Sequence, residues 1–563
     1  MSTSTRVALG LYALEAKANS SPSFSGATWS HADDLRTDDT VSNAVATYEP
    51  DFWLLDGGYK FLPTDLSTIH AGIISTDMSD GSGVFATPPE LVVHFSGDAV
   101  SLTGLTLRFS EYTGDYASEI KVAYYDAATG GLIREDTYYP TSWRHVISQV
   151  VTGIGSITIT FYSTNRPYRR LRMRGIDYGE TVDFTGGDIK AASVVEEVDI
   201  LSSQARYNAC SLRLYSNDGD FSIISPSGVY AQLTDRQPIA VYETVDGATV
   251  YMGQYYMQKW ENQSETQIEF DCVDILGILA KIAYDGNLWA YPGTALSDVL
   301  AALLDPLSVG YELDASLASF TVMGWLPICT YRDALQQLAF AAGAYLDCSR
   351  SNLIRIIKTP TTSDAATATI TRAQKGASQK LLLKPQVTGV EITTHTYSPL
   401  TTSKQIFSGA LTAGTYKIKF AEPMHTLSVT GATIASSGVN YAVLTVASPG
   451  TVTLTGQVYE DATFAFSVYA TVDARVKPNV ITITKATLVN RNIGTAVRDR
   501  VYAYYQMRLS QKLKLFAPTN IRVGDVVEVE TLYGRSIKGI VEKMDIDLFG
   551  GMVAQVEITG EAV

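Results

Sequence analysis

Cysteine and histidine are scarce in this 563-residue chain, which has four cysteines (Cys210, Cys272, Cys329, Cys348) and six histidines (His31, His70, His94, His145, His395, His425). No two cysteines form a Cys-x-x-Cys pair, and their spacings fit no zinc module. They are expected to be buried small hydrophobes in a reducing compartment. The histidines make neither His-Glu-x-x-His nor His-x-His, and no Gly-x-Ser-x-Gly elbow occurs. The usual zinc-hydrolase and serine-hydrolase patterns are therefore missing. No catalytic residue, metal ligand or cofactor is expected, and the chain is not expected to be an enzyme.

Long apolar runs are also missing. The longest, such as Leu338–Leu346, fall far short of the ~20 residues a membrane span needs. Met1 is followed by Ser-Thr-Ser-Thr-Arg with no apolar stretch behind it, so synthesis in the cytoplasm without a secretory leader is expected. Positive charge is in deficit, with a formal net charge of −15. That argues against a surface that binds nucleic acid by neutralising phosphates, though not against a wall past which DNA slides without sticking. Disorder is excluded by 46% hydrophobic and 18% charged residues. Tyrosine is plentiful, 33 against 18 phenylalanines, which suits half-wet interfaces.

The length suits roughly three to five domains. Alternating strands dominate, so the expected class is mainly β and multidomain. Residues 1–180 read as a β-sandwich, with strands at Arg6–Leu14, Leu91–Phe95, Leu105–Phe109, Ile120–Tyr125 and Ile157–Phe161 between turn residues. Residues 181–271 are again β, with a hairpin at Asp246-Gly247. Residues 272–360 change to helical period. Ile275, Ile278, Leu279 and Ile282 share a face, Thr294 or Ser297 is placed to cap a helix through Leu304, and Thr330 to cap one closed by Gly343. Residues 361–399 and 474–563 return to strands. There a helix is expected over Thr495–Gln511, with Val497, Val501 and Leu509 against the last strands. Residues 400–473, rich in Thr, Ser, Gly and Ala, read as an inserted Ig-like sandwich that can be detached.

Four segments carry a resemblance. Val523-Gly-Asp-Val-Val-Glu-Val, Ile537-Lys-Gly-Ile-Val and Ile546-Asp-Leu-Phe-Gly-Gly-Met, preceded by Tyr504-Tyr-Gln-Met-Arg, resemble the closing barrel of bacteriophage baseplate hub proteins of the late control protein D-like family. Leu233-Thr-Asp-Arg-Gln-Pro-Ile, Tyr251-Met-Gly-Gln-Tyr-Tyr and Phe270-Asp-Cys-Val-Asp-Ile-Leu resemble the first hub barrel. Cys329–Ala344 with Ser349-Arg-Ser resembles the α/β piece between them. The resemblance implies two tube-like barrels per subunit and a homotrimer that adapts a sixfold tail tube to a threefold spike or fibre. It also implies a place in the virion at the tail tip, lining the DNA exit channel. Implied partners are the tail tube, distal tail proteins, a central spike or fibre and the tape measure protein, with no specific nucleic-acid binding.

Glu49-Pro-Asp-Phe-Trp-Leu-Leu-Asp and Asn165–Gly179 resemble a galactose-binding-like sandwich of prophage tail proteins. An alternative follows: a host-surface adhesin that binds cell-wall carbohydrate through this sandwich. Its candidate residues are the basic run Arg166, Arg169, Arg170, Arg172 and Arg174, with Trp143 as a stacking platform. In a strand Arg170, Arg172 and Arg174 share one face, which reads first as an exposed sheet face or subunit contact and second as an anionic-glycan site. Trp29 and Trp53 are further aromatic candidates, although Trp53, in Asp-Phe-Trp-Leu-Leu, reads first as a core residue. Asp33, Asp34, Asp38 and Asp39 are dense enough to suggest Ca²⁺, but their spacing is not that of an EF-hand, and a solvated turn is the expectation.

Overall fold

The computed structural model describes residues 2–26, 32–36, 44–47, 49–50, 59–61, 72–102, 104–111, 113–215, 233, 236–264, 266–307, 309–471, 477–531 and 534–563. His31, His70, Trp29, Trp53, Asp38 and Asp39 lie outside them. The class is mainly β and multidomain, as the alternation of the sequence implies.

A thirteen-stranded sheet runs through the molecule. Its first half joins Gly179–Thr185, Thr3–Tyr12, Pro238–Val245, Ala248–Ser264, Gln267–Val273, Ala209–Tyr215 and Ile189–Glu197 in that spatial order. Its second half continues with Ser536–Asp547, Val553–Ala562, Leu509–Phe516 and Lys375–Leu383, with Val526–Glu530 and Ala368–Ile370 branching from Ser536–Asp547. The expected hairpin is present: Val245 pairs with Ala248, and Asp246 and Gly247 between them have φ of 48° and 88°. Two residues with positive φ are what a type I′ turn needs to match strand twist. Both halves share one core, from Val7 and Leu9 through Phe270 to Val556 and Ile558.

One strand departs from the expected division. Thr3–Tyr12 pairs with Gly179–Thr185 and Pro238–Val245, so it belongs to the long sheet and not to the amino-terminal sandwich. Alternation marks a strand but cannot name its neighbours. The sandwich proper begins at Ser20. One of its layers orders Leu132–Tyr138, Ala117–Asp126, Val151–Thr164, Glu90–Phe95 and Ser20–Phe24, and the other Arg144–Ile147, Leu105–Phe109, Arg170–Asp177 and Ile73–Met78. Leu91, Leu107, Phe109, Ile157, Phe161 and Met173 fill the space between them.

The helical region packs around a second core. Helix Tyr331–Ala342 starts where Thr330 Oγ1 accepts from the Asp333 amide at 3.1 Å, and it ends at Gly343 with φ 77°. The left-handed backbone at this position selects glycine. Asp274 caps Ile275–Leu279. Helix Leu296–Leu304 differs from expectation. Its N-cap is Ala295, without a side-chain cap, because Thr294 is taken into the strand Asn287–Ala295.

The helix expected over Thr495–Gln511 spans Gly494–Gln506, and Leu509 opens the strand Leu509–Phe516. Val497 and Val501 pack into the core of the α/β unit, together with Val390, Ile392, Leu488 and Val489, and not against the last barrel strands. A helical stripe shows that a face is buried, but several apolar surfaces compete to cover it. Only Tyr504, at the end of the helix, touches both cores.

The inserted region has two layers, with Met424–Thr430 beside Gly450–Tyr469 and Gly389–Leu411 in one and Gly414–Lys419, Tyr441–Val446 and Thr433–Gly438 in the other. Phe420, Ala442, Leu444, Val452 and Leu454 form its small core. A boundary at 400 cuts the continuous strand Gly389–Leu411 and assigns all of its partner Gly450–Tyr469 to the insert, although the two stay paired from Gly389↔Tyr469 to Leu411↔Gly450. The insert is also docked. Asn440 Oδ1 accepts from Trp325 Nε1 at 2.8 Å, its amide reaches the carbonyls of Asp285 and Leu326, and Lys417 pairs with Asp285 at 2.7 Å.

Two outcomes follow. Val501 is fully buried in the α/β core. Val501→Asp should cost roughly 3 kcal/mol or more, since an unpaired carboxylate there loses its water. A melting curve matching the parent's would refute that packing. Replacing 400–458 by a short Gly-Ser linker should leave the rest soluble, because Pro399 and Tyr459 face each other across the ribbon. Removing 402–473 should instead destabilise the chain, because Phe464–Tyr469 pairs with the 389–394 segment. Equal solubility and melting for both deletions would place the boundary back at 402 and 473.

Candidate functional site: the arginine run of the amino-terminal sandwich

Strand Arg170–Asp177 lies inside its sheet, between Leu105–Phe109 and Ile73–Met78. Leu171 and Met173 point into the sandwich core as expected. The opposite face was expected to be open, and it is not. Arg169, Arg170 and Arg172 are 4%, 8% and 5% exposed. Thr47, Glu49 and Pro50 supply partners on that side, and local alternation gives no sign of residues so distant.

Glu49 organises this face, and its side chain has no exposed surface. Its Oε2 takes the Arg172 guanidinium at 2.8 Å and its Oε1 takes the Arg170 amide at 2.8 Å. Thr47 Oγ1 accepts from the same Arg172 nitrogen at 2.7 Å and donates to Glu49. The Arg170 guanidinium donates to the carbonyls of Ser75 and Thr76. Arg169 donates to the Pro50 carbonyl at 2.6 Å.

Asp115 gathers the rest of the run. Arg166 lies 2.9 Å and Arg169 3.5 Å from its Oδ1. Burial pushes the Asp115 carboxyl up, while the Thr113 hydroxyl and the arginines draw it back. Arg166 is the most open of these, with 44% of its side chain exposed. Arg174 is half-buried, and Trp143 is half-buried against the sandwich core. The structure thus brings Arg166, Arg169 and Arg172 to two buried carboxylates and leaves no continuous basic face.

A second buried pair was missed. Glu196 and Arg350 expose 0% and 1% of their side chains and meet at 2.8 Å and 3.3 Å through both carboxylate oxygens. Arg350 also donates to the Thr519 carbonyl at 3.1 Å. Burial pushes the Glu196 carboxyl up and Arg350 pulls it back. The sequence held a signal, because Glu196 sits at an inward position of Ile189–Glu197, in line with Ala192 and Val194. A carboxylate on the apolar side of a strand requires a buried partner.

Other candidates resolve into internal contacts. A cleft near helix residue Tyr504 is walled by charges that already pair: Lys543 and Arg206 with Glu197 at 3.6 Å and 3.3 Å, and Tyr504 donating to Glu542 at 2.5 Å. His395 is bound by Asp461 at 2.8 Å and by the Thr484 carbonyl at 3.0 Å. Cys210, Cys272 and Cys348 are buried free thiols, and burial pushes each thiol up, away from reactivity. Among the described residues no group of His, Cys, Asp and Glu could hold a metal ion, and no helix is long and apolar enough to cross a membrane.

No family model and no curated protein matches the chain. Among solved structures it is similar to the 43 kDa tail protein of prophage MuSo2 from Shewanella oneidensis, with a TM-score of 0.39, 10% identity and coverage of 67% of this chain and 94% of that one. It is also similar to the tail protein from Neisseria meningitidis MC58, with a TM-score of 0.40, 9% identity and 68% and 94% coverage. Prophage tail protein gp18 from Listeria monocytogenes EGD-e gives a TM-score of 0.38, 8% identity and 67% and 91% coverage. At such values neither activity nor partner is carried from those proteins to this chain.

Glu49→Ala should lower stability by about 3–5 kcal/mol, because it leaves Arg172 buried without its carboxylate. Amide exchange should rise first in Arg170–Asp177 and Ile73–Met78. Unchanged exchange in those strands would show that the pair does not hold them.

Proposed function

We propose that this chain is a structural virion protein of a bacteriophage tail, acting as the homotrimeric hub of the tail tip or baseplate. The observation that carries this reading is the junction of the two β halves. Ile189–Glu197 pairs with Ser536–Asp547, so one subunit offers two β blocks joined around one core. Three such subunits would present six blocks to a sixfold tail tube while keeping threefold symmetry for a spike or fibre below. The order of hub-like segments in the sequence supports the same reading. On this view the channel wall is neutral to acidic, in keeping with the net charge of −15, so that DNA passes without being held.

Distal tail proteins and the tape measure protein are the further partners this role requires. The adhesin reading comes from the galactose-binding-like resemblance of the sandwich, and the burial of Arg169, Arg170 and Arg172 speaks against these three arginines as its sugar-binding face.

Native mass measurement of the purified chain over a concentration series, with images of particles labelled on the insert, tests the hub. Trimers and three labels at the tail end are expected. A stable dimer or tetramer, or label along the tail shaft, would overturn it.

A further inference from the structure

Glu243 is a buried carboxyl for which the hub reading has no use. It follows Ile239 and Val241 on the inward side of Pro238–Val245 and has no exposed surface. A carboxylate there loses its water and requires a cation or a proton. Thr3–Tyr12 sets Thr5 opposite it, and Ala248–Ser264 sets Val250 opposite it, neither of them charged. The charged residues beside it in sequence or register, Arg6, Asp246 and Asp547, are turned to other partners: Asp183, the Ser2 amide and the Phe549 amide. Glu243 Oε2 accepts from the Thr5 hydroxyl at 2.8 Å, while its Oε1 is buried with no hydrogen-bond partner among the described residues. The same Thr5 hydroxyl lies 3.3 Å from the Leu548 carbonyl, in the turn that follows Ser536–Asp547, and the Leu548 amide donates to the Ala192 carbonyl at 2.9 Å. Thr5 therefore stands between the two halves with two acceptors and a single proton to give.

We propose that Glu243, Thr5 and Leu548 form a proton-operated clasp between the two halves of the long sheet. With Glu243 ionised, Thr5 gives its proton to the carboxylate, and the Leu548 carbonyl goes without it. When Glu243 takes a proton from solvent onto Oε2, it becomes the donor to Thr5 Oγ1, and the Thr5 proton turns to the Leu548 carbonyl. Both hydrogen bonds are made only in that state. Oε1 is then a neutral carbonyl oxygen, which costs less to bury than a share of a charge. Burial pushes the Glu243 carboxyl up, and the Thr5 hydroxyl draws it back. In the unfolded chain the carboxyl keeps its ordinary value, so the folded chain binds the proton more tightly. The clasp is gained as pH falls through the raised folded value and lost as pH rises through it. It acts within one chain and does not depend on the hub reading.

Glu243→Gln keeps an N–H for Thr5 and cannot ionise, so it holds the clasp closed. Thr5→Val, at a half-buried position, removes the relay. Exchange of the Leu548 amide, corrected for its intrinsic pH dependence, is followed from about pH 8 to about pH 5, toward the ordinary glutamate range. In the parent it should slow by about threefold or more over that window, the worth of one hydrogen bond. It should be slow throughout in Glu243→Gln and fast throughout in Thr5→Val. Acidification relieves the net negative charge of all three proteins alike, so the comparison cancels that effect. Infrared difference spectra of the parent, low pH minus high, should contain a protonated-carboxyl stretch that Glu243→Gln lacks. The same pH profile in parent and Thr5→Val overturns the clasp, and so does a parent spectrum identical to that of Glu243→Gln. If Glu243→Gln does not fold, parent against Thr5→Val decides alone.

Discussion

Five residue pairs, from Ser193↔Asp547 to Glu197↔Lys543, make the two halves of this molecule one body. Backbone hydrogen bonds across that seam contribute only about 0.5–1.5 kcal/mol each. Their effect comes from what they bring together. With the seam formed, residues separated by more than 500 positions share a core, Val7 at one end and Ile558 at the other. The Glu196–Arg350 pair locks the same seam from the α/β side. Arg350 holds a carboxylate of the first half and a carbonyl of the 517–519 turn, so it ties three parts of the chain at one guanidinium. A buried pair of this kind is not more stabilising than well-packed apolar residues, but it is selective, because any other docking leaves a buried charge alone.

The same physics explains the amino-terminal sandwich. Arginines on an outward-facing parity suggest a surface, and here they became anchors. Glu49 and Asp115 neutralise them, and Thr47 and Pro50 accept their remaining hydrogen bonds. The chemistry that would suit an anionic ligand is used to hold the protein's own loop. Its aromatic companion Trp143 is likewise occupied with packing.

The inserted sandwich is a third case of attachment by continuation. Its two long strands leave the α/β core without a break, and their lower ends help bury helix Gly494–Gln506: a Cβ at Gly494 would meet Phe466 and Thr394 at 2.6 Å. The insert is thus both an independent core and a part of the support beneath it, while Asn440 and Lys417 fix its angle.

Local signals in the sequence were sufficient for the elements. The Asp246-Gly247 hairpin, the Thr330 cap with Gly343 behind it and the alternating strands of 536–562 all depend on residues within a few positions of one another. Partners across the chain were not legible. That Thr3–Tyr12 crosses into the long sheet, that Val497 and Val501 face the α/β unit, and that Glu49 neutralises Arg172 are decisions among surfaces of similar apolarity or charge. The sequence by itself determined a mainly β, multidomain chain with no catalytic or metal-binding pattern. Only the tertiary structure decided which faces are buried, because burial depends on long-range pairing that neither periodicity nor composition encodes.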